Sequence, residues 1–166
     1  MDLFLIRHAQ AQPDDPAVED AHRPLTERGR KDARKLGKLL RRAGVSLDAI
    51  ITSPLVRAVE TAELVAVGLR FDAAIEVAPE LAPGRDPLAV VREVLLPRGD
   101  LAAVAIVGHQ PQWTALLTAL LHKPAPDPAK STAIRLRWHG PDAPAKFKWV
   151  ARPDLDEPST DITDVV

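Results

Sequence analysis

Four short apolar runs, each followed by a stretch of helical spacing, constrain this chain more than any other feature. The runs are residues 3–6, 49–52, 75–77 and 101–107. Each is too short for a helix and reads as a buried strand. Between them, Ala33, Leu36, Leu40 and Ala43 recur at steps of three and four, as do Leu55, Val59, Ala62 and Ala66. Leu88, Val91 and Leu95 follow Asp86-Pro87, a good helix opening. Trp113, Leu116, Leu117, Leu120 and Leu121 follow Gln110-Pro111. Strands alternating with helices imply a parallel sheet covered on both faces. Two later runs, 132–138 and 147–150, have no helix between them and read as a hairpin on one sheet edge. The expected fold is therefore α/β: a three-layer sandwich with a mostly parallel central sheet and antiparallel edge strands near the C-terminus.

At 166 residues the chain has the length of one domain. Residues 1–153 are expected to form it, and residues 154–166 to form an acidic tail along its surface. Apolar residues at 46% supply enough core for a globular domain. A net charge of -1 gives no general pull toward nucleic acid or an anionic membrane. With no cysteine, disulfides, thiolate metal sites and cysteine nucleophiles are excluded. No apolar stretch approaches the roughly 20 residues that span a bilayer. The opening Met-Asp and four apolar residues are too short and acidic for a signal peptide, so a cytoplasmic location is expected. Segment 27–43 carries eight basic residues against Glu27 and Asp32. It reads as a solvated helix face, or as a docking surface for an acidic partner; no aromatic residues interleave for base stacking.

Chemistry gathers where the strands stop. The first run ends on Arg7-His8. The second leads into "TSPLVRAVETAEL" (52–64), with Ser53-Pro54 opening a helix and Arg57 on its first turn. The fourth, "IVGHQP" (106–111), ends on Gly108-His109. In an open parallel sheet the carboxyl ends of the strands lie along one rim, so two arginines and two histidines converge in one crevice. Such donors repel one another unless an anion sits among them, and a phosphoryl group suits them best. Helix starts near residues 55 and 111 add backbone donors. A neutral imidazole can also take the phosphoryl group onto nitrogen, while Arg7, Arg57 and a second, protonated histidine stabilise the equatorial oxygens. This scheme requires no metal and no cofactor. The long irregular stretch 13–24 follows the first strand end, and from it Arg23 is a candidate for reaching the phosphate.

These motifs resemble the histidine phosphatase superfamily, the phosphoglycerate mutase-like fold. The family's N-terminal Arg-His-Gly corresponds to Arg7-His8-Ala9, its "SPLxRAxxTAE" helix start to 53–63, and its Gly-His to Gly108-His109. "RPLTERG" (23–29) resembles the start of the family's first helix. Within the superfamily the chain is most similar to the short SixA-type phosphohistidine phosphatases, through "LAPGRD" (81–86) and "KSTAIRL" (130–136). The resemblance implies His8 as the phosphorylated nucleophile, Arg7 and Arg57 as phosphate clamps and His109 as the second pocket histidine. Ala9 departs from the family's glycine. Only 23 residues separate Val77 from Leu101, leaving little room for the helical cap of the larger members, so no cap insertion is expected. Glu80 is the candidate proton donor. An uncovered pocket favours a phosphorylated protein, such as a histidine-containing phosphotransfer domain. The alternatives are a phosphatase of small phosphomonoesters and a non-catalytic phosphate-binding module.

Overall fold

The computed structural model describes residues 1–166. Six strands form one sheet in the order β3-β2-β4-β1-β5-β6. They are β1 (Asp2–Arg7), β2 (Ala49–Thr52), β3 (Glu76–Val77), β4 (Ala103–Gly108), β5 (Ala133–Arg137) and β6 (Lys146–Ala151). The first four run parallel; β5 lies antiparallel to β1, and β6 antiparallel to β5 at the edge. The mostly parallel sheet with a C-terminal antiparallel edge is thus as the sequence predicts. The third strand is shorter than its apolar run, and the fourth begins two residues later than expected.

Strand residues alternate between two cores, because successive side chains point to opposite faces. Phe4, Ile6, Ile50, Ala105 and Val107 face helices α1 (Glu27–Arg42) and α2 (Val56–Leu69). Leu3, Leu5, Ile51, Val104 and Ile106 face α4 (Gln112–Leu121) and the helical segment before β4. That segment departs from expectation. It opens as α3 (Pro87–Ala89), widens into a π turn over Val90–Leu95 and closes as a 3-10 turn at Leu96–Arg98. Val91 and Leu95 are buried as predicted, but Leu88 is 51% exposed.

Helix α1 starts where Thr26 caps it, its hydroxyl accepting from Gly29 N–H at 2.9 Å. It packs closely on α2 at Gly37 and Gly68. A Cβ on Gly37 would lie 2.3 Å from the Val65 carbonyl oxygen, and one on Gly68 2.7 Å from that of Arg34. The basic face of α1 is partly neutralised by Glu27–Lys31, Arg28–Asp32 and Arg30–Glu60 pairs. Residues 154–166 fold back on the domain: Ser159 bridges to Val150, and a 3-10 turn (Ile162–Val165) buries Val165 against the core. No helix is long and apolar enough to cross a membrane.

Candidate active site

Register builds the site. Arg7 and Gly108 end neighbouring parallel strands as direct partners, and His8 N–H donates to the Gly108 carbonyl at 3.0 Å. His8 and His109 therefore leave the sheet side by side, their ring centroids 4.9 Å apart. On the other side of β4, Ser53 N–H continues the ladder to the Val107 carbonyl at 3.0 Å. The chain then turns into α2, whose first turn carries Arg57. Gly108 is required here because a Cβ would lie 2.4 Å from the Trp113 ring packed beneath it. Arg7, His8, Arg57 and His109 line one pocket, joined by Arg23, Asp20, Gln110 and Lys130.

A hydrogen bond fixes the tautomer of one of the two imidazoles. His8 Nδ1–H donates to the Ala9 carbonyl at 2.7 Å, since a carbonyl can only accept. Its Nε2 then carries the lone pair. Burial pushes the His8 pKa down to about 4; Arg57, Arg7 and Lys130 push the same way, and the Ala9 hydrogen bond opposes them. His109 Nε2 lies 2.8 Å from Ser53 Oγ. That oxygen also accepts from Leu55 N–H at 3.3 Å. The other ring nitrogen of His109, Nδ1, is buried and has no protein partner. Burial, then His8, Arg57 and Arg7, lower the His109 pKa to about 3, against the pull of Asp20. Both histidines are accordingly neutral at pH 7 without a ligand.

The arginines are held differently. Arg7 Nη1 donates to the Pro128 carbonyl at 2.7 Å, while its Nε is buried without a partner. Burial lowers the Arg7 pKa, and Asp127 opposes this. Arg57 is only 5% exposed. Its Nη1 donates to the Asp20 carbonyl at 2.7 Å and its Nη2 to Asp20 Oδ2 at 2.9 Å. Arg23 Nε donates to Asp20 Oδ1 at 2.9 Å, and its Nη1 to the Gln12 carbonyl at 2.7 Å. Asp20 is thus the acid that the sequence reading lacked among these cations. Arg23, and then Arg57, hold its pKa below the usual carboxylate range. No sequence signal singled it out: it lies in the irregular stretch 13–24, within a 3-10 turn over Asp20–His22.

Glu80 does not join the pocket. It sits in a 3-10 turn (Pro79–Leu81) that buries Leu81, and lines a separate hollow with Arg85, Asp86 and Glu93. Ala9 sits at 0% exposure with an ordinary backbone conformation, so replacing the family's glycine stores no strain. Its N–H donates to Thr61 Oγ1 at 3.0 Å, and that hydroxyl donates to the Arg57 carbonyl at 2.6 Å. This chain of bonds ties the His8 turn to α2.

The chain is similar to known proteins in sequence and in fold. The sequence profile of the histidine phosphatase superfamily, branch 1, matches residues 3–82. Phosphohistidine phosphatase SixA of Escherichia coli (strain K12) is 30% identical over 155 residues, covering 92% of this chain and 94% of that protein. The structure of the protein histidine phosphatase SixA complexed with tungstate superposes with a TM-score of 0.82 at 28% identity, over 92% of this chain and 97% of that one. The α-ribazole phosphatase from Shigella flexneri shares the fold, with a TM-score of 0.67 at 22% identity over 89% and 95% of the two chains. The profile spans the stretch that carries Arg7, His8 and Arg57, the SixA relative covers nearly the whole chain, and the chain belongs to the histidine phosphatase superfamily.

Proposed function

We propose that this protein is a phosphohistidine phosphatase acting on phosphorylated protein through a covalent intermediate on His8, with no metal ion. The observation that carries the reading is the hydrogen bond from His8 Nδ1 to the Ala9 carbonyl. It leaves Nε2 as a neutral nucleophile in a pocket of guanidinium groups. Arg7 Nε, a buried donor without a protein partner, is suited to a phosphoryl oxygen. The SixA relative was captured with tungstate, a tetrahedral oxyanion of phosphate-like shape. That parallel supports an oxyanion among these residues here.

In the first step the Nε2 lone pair forms a bond to phosphorus as the substrate's P–N bond breaks. The leaving ring, protonated by water on its other nitrogen, keeps the bonding pair and departs as neutral imidazole. Arg7 and Arg57 meet the charge on the three equatorial oxygens. His8 is now a phosphorylated imidazolium, and its Nδ1–H remains on the Ala9 carbonyl. In the second step a water oxygen attacks phosphorus and the P–Nε2 bond breaks. The proton leaves to solvent, and inorganic phosphate and neutral His8 result.

Leaving-group chemistry favours phosphohistidine over small phosphomonoesters. An alkoxide needs a proton from a placed acid as it departs. Asp20, the carboxyl group of the pocket, is held ionised by Arg23 and Arg57, and Glu80 faces another hollow. A protonated imidazole needs no such donor. The test is phosphate release by purified protein from a phosphorylated histidine-containing phosphotransfer domain, set beside sugar phosphates and nucleotides. Rapid quench should trap phosphate on residue 8. Brisk turnover of sugar phosphates with none from the phosphotransfer domain overturns the reading.

A further inference from the structure

We propose that Lys130 is a specificity-determining residue of this pocket, one that pairs with a carboxylate flanking the phosphohistidine of the substrate protein. The inference rests on the phosphohistidine reading and goes beyond it by naming the surface chemistry of the partner.

The other cations of the pocket already have protein partners. Arg7 holds the Pro128 carbonyl, Arg57 holds Asp20, and Arg23 holds Asp20 and Asp14. Lys130 lines the same pocket, is exposed, and pairs with no acid. Its charge is felt at the nucleophile, where it helps to depress His8.

Lys130 is also held in place by its backbone. On one side Ala129 N–H donates to the Val165 carbonyl at 2.6 Å, and Val165 is fully buried. On the other, Ser131 N–H donates to the His8 carbonyl at 3.3 Å. Ser131 takes a left-handed conformation, φ 60°, and is 3% exposed. A non-glycine residue adopts that conformation where its surroundings impose it. The C-terminal turn and the nucleophile's own backbone thus fix the segment on both sides of Lys130. Lys130 is exposed in this pocket, whereas His8, Arg57 and His109 are buried. A substrate protein entering an uncapped pocket brings its neighbouring side chains to the exposed residues first. An ammonium without an internal acid there selects for acidic neighbours, as complementary charge does at other interfaces.

The experiment uses two synthetic phosphohistidine peptides of the same length. One carries Asp and Glu around the phosphohistidine, the other Asn and Gln. The readout is the ratio of kcat/KM, acidic over neutral. The full chain should favour the acidic peptide by about fivefold at low salt, the scale of one rim ion pair, and less as salt rises. Lys130→Ala should bring the ratio to about one, Lys130→Glu below one, and Lys130→Arg should keep it. Lys123→Ala removes an exposed lysine of the same loop outside the pocket and should leave the ratio as it is. A wild-type ratio surviving in Lys130→Ala, or collapsing equally in Lys123→Ala, overturns the proposal. If neither peptide is hydrolysed, the phosphohistidine reading fails. The ratio of binding affinities of the two peptides to His8→Ala protein, with and without Lys130→Ala, then still decides the role of Lys130.

Discussion

The pocket has two walls of different make. One, the strand wall, is regular structure: Arg7-His8 at the end of β1, Ser53 after β2 with Arg57 on the first turn of α2, and His109 after β4, the strand ends tied together by parallel ladder hydrogen bonds. The other is loop, carrying Asp20 and Arg23 from 13–24 and Lys130 from the stretch after α4. The strand wall holds its side chains at fixed distances because the sheet beneath it is buried on both faces. The loop wall supplies charge and adjusts it. On the proposed reading, chemistry that tolerates little displacement sits on regular structure, and selectivity sits on loops.

If that division is right, the largest effect of any substitution belongs to the nucleophile. His8→Asn should lower turnover of phosphohistidine substrate by at least about 10⁴-fold, with no phosphoenzyme in a rapid quench. Retained turnover would move the chemistry off the strand wall altogether. A direct contrast of the walls comes next. Arg57→Ala should cost about 10²–10³-fold in kcat/KM, the scale of losing one preorganised donor to the developing charge. Arg23→Ala should cost tenfold or less, because its guanidinium is already engaged by Asp20, Asp14 and the Gln12 carbonyl. An Arg23 effect as large as that of Arg57 would erase the distinction.

The strand wall should also show in stability. His8 and His109 titrate near 4 and 3 when folded and near their ordinary value when unfolded. Between about pH 6.5 and 4 the unfolded chain takes up protons that the folded one refuses. Their contribution is therefore fully present above pH 6.5 and is lost as pH falls toward 4. Down to pH 4 the loss is on the order of 3 kcal/mol per histidine, or several degrees in Tm for a domain of this size. Thermal melts across that range should show the decline, with a shallower slope in His8→Asn. An unchanged slope would mean that His8 is no more hindered from protonating when folded than when unfolded.

The same contrast explains what could be read from the sequence. His8 and His109 were legible because each stands two residues after an apolar run, and Arg57 because it lies on the first turn of the helix after one; strand register converts sequence offset into spatial proximity. The two cores follow from the same alternation, Leu3 and Leu5 to one face and Phe4 and Ile6 to the other. Loop positions have no such period. Asp20 reaches the site because Arg57, 37 positions away, binds both its carbonyl and its carboxylate. Glu80 follows a strand as His8 does, yet the 3-10 turn that buries Leu81 directs it to a different hollow. Offset from a strand predicts location only while the chain continues the strand's direction.

Asp20 gives the smallest and most discriminating test. Its carboxylate engages Arg57 as an oxyanion would, with one oxygen on Nη2 and the other on Arg23. A phosphoryl group must compete with it for Arg57. Asp20→Asn keeps the size and an acceptor oxygen but removes the charge. If the loop wall balances charge in the unliganded pocket, tungstate should bind the variant more tightly, by about fivefold for the loss of one partly exposed pair. Titration calorimetry at fixed ionic strength reads this without any turnover. Weaker binding would mean that Asp20 presents Arg57 to the anion instead of competing for it. The loop wall would then share the strand wall's task of positioning, and the contrast between the two would fail at its centre.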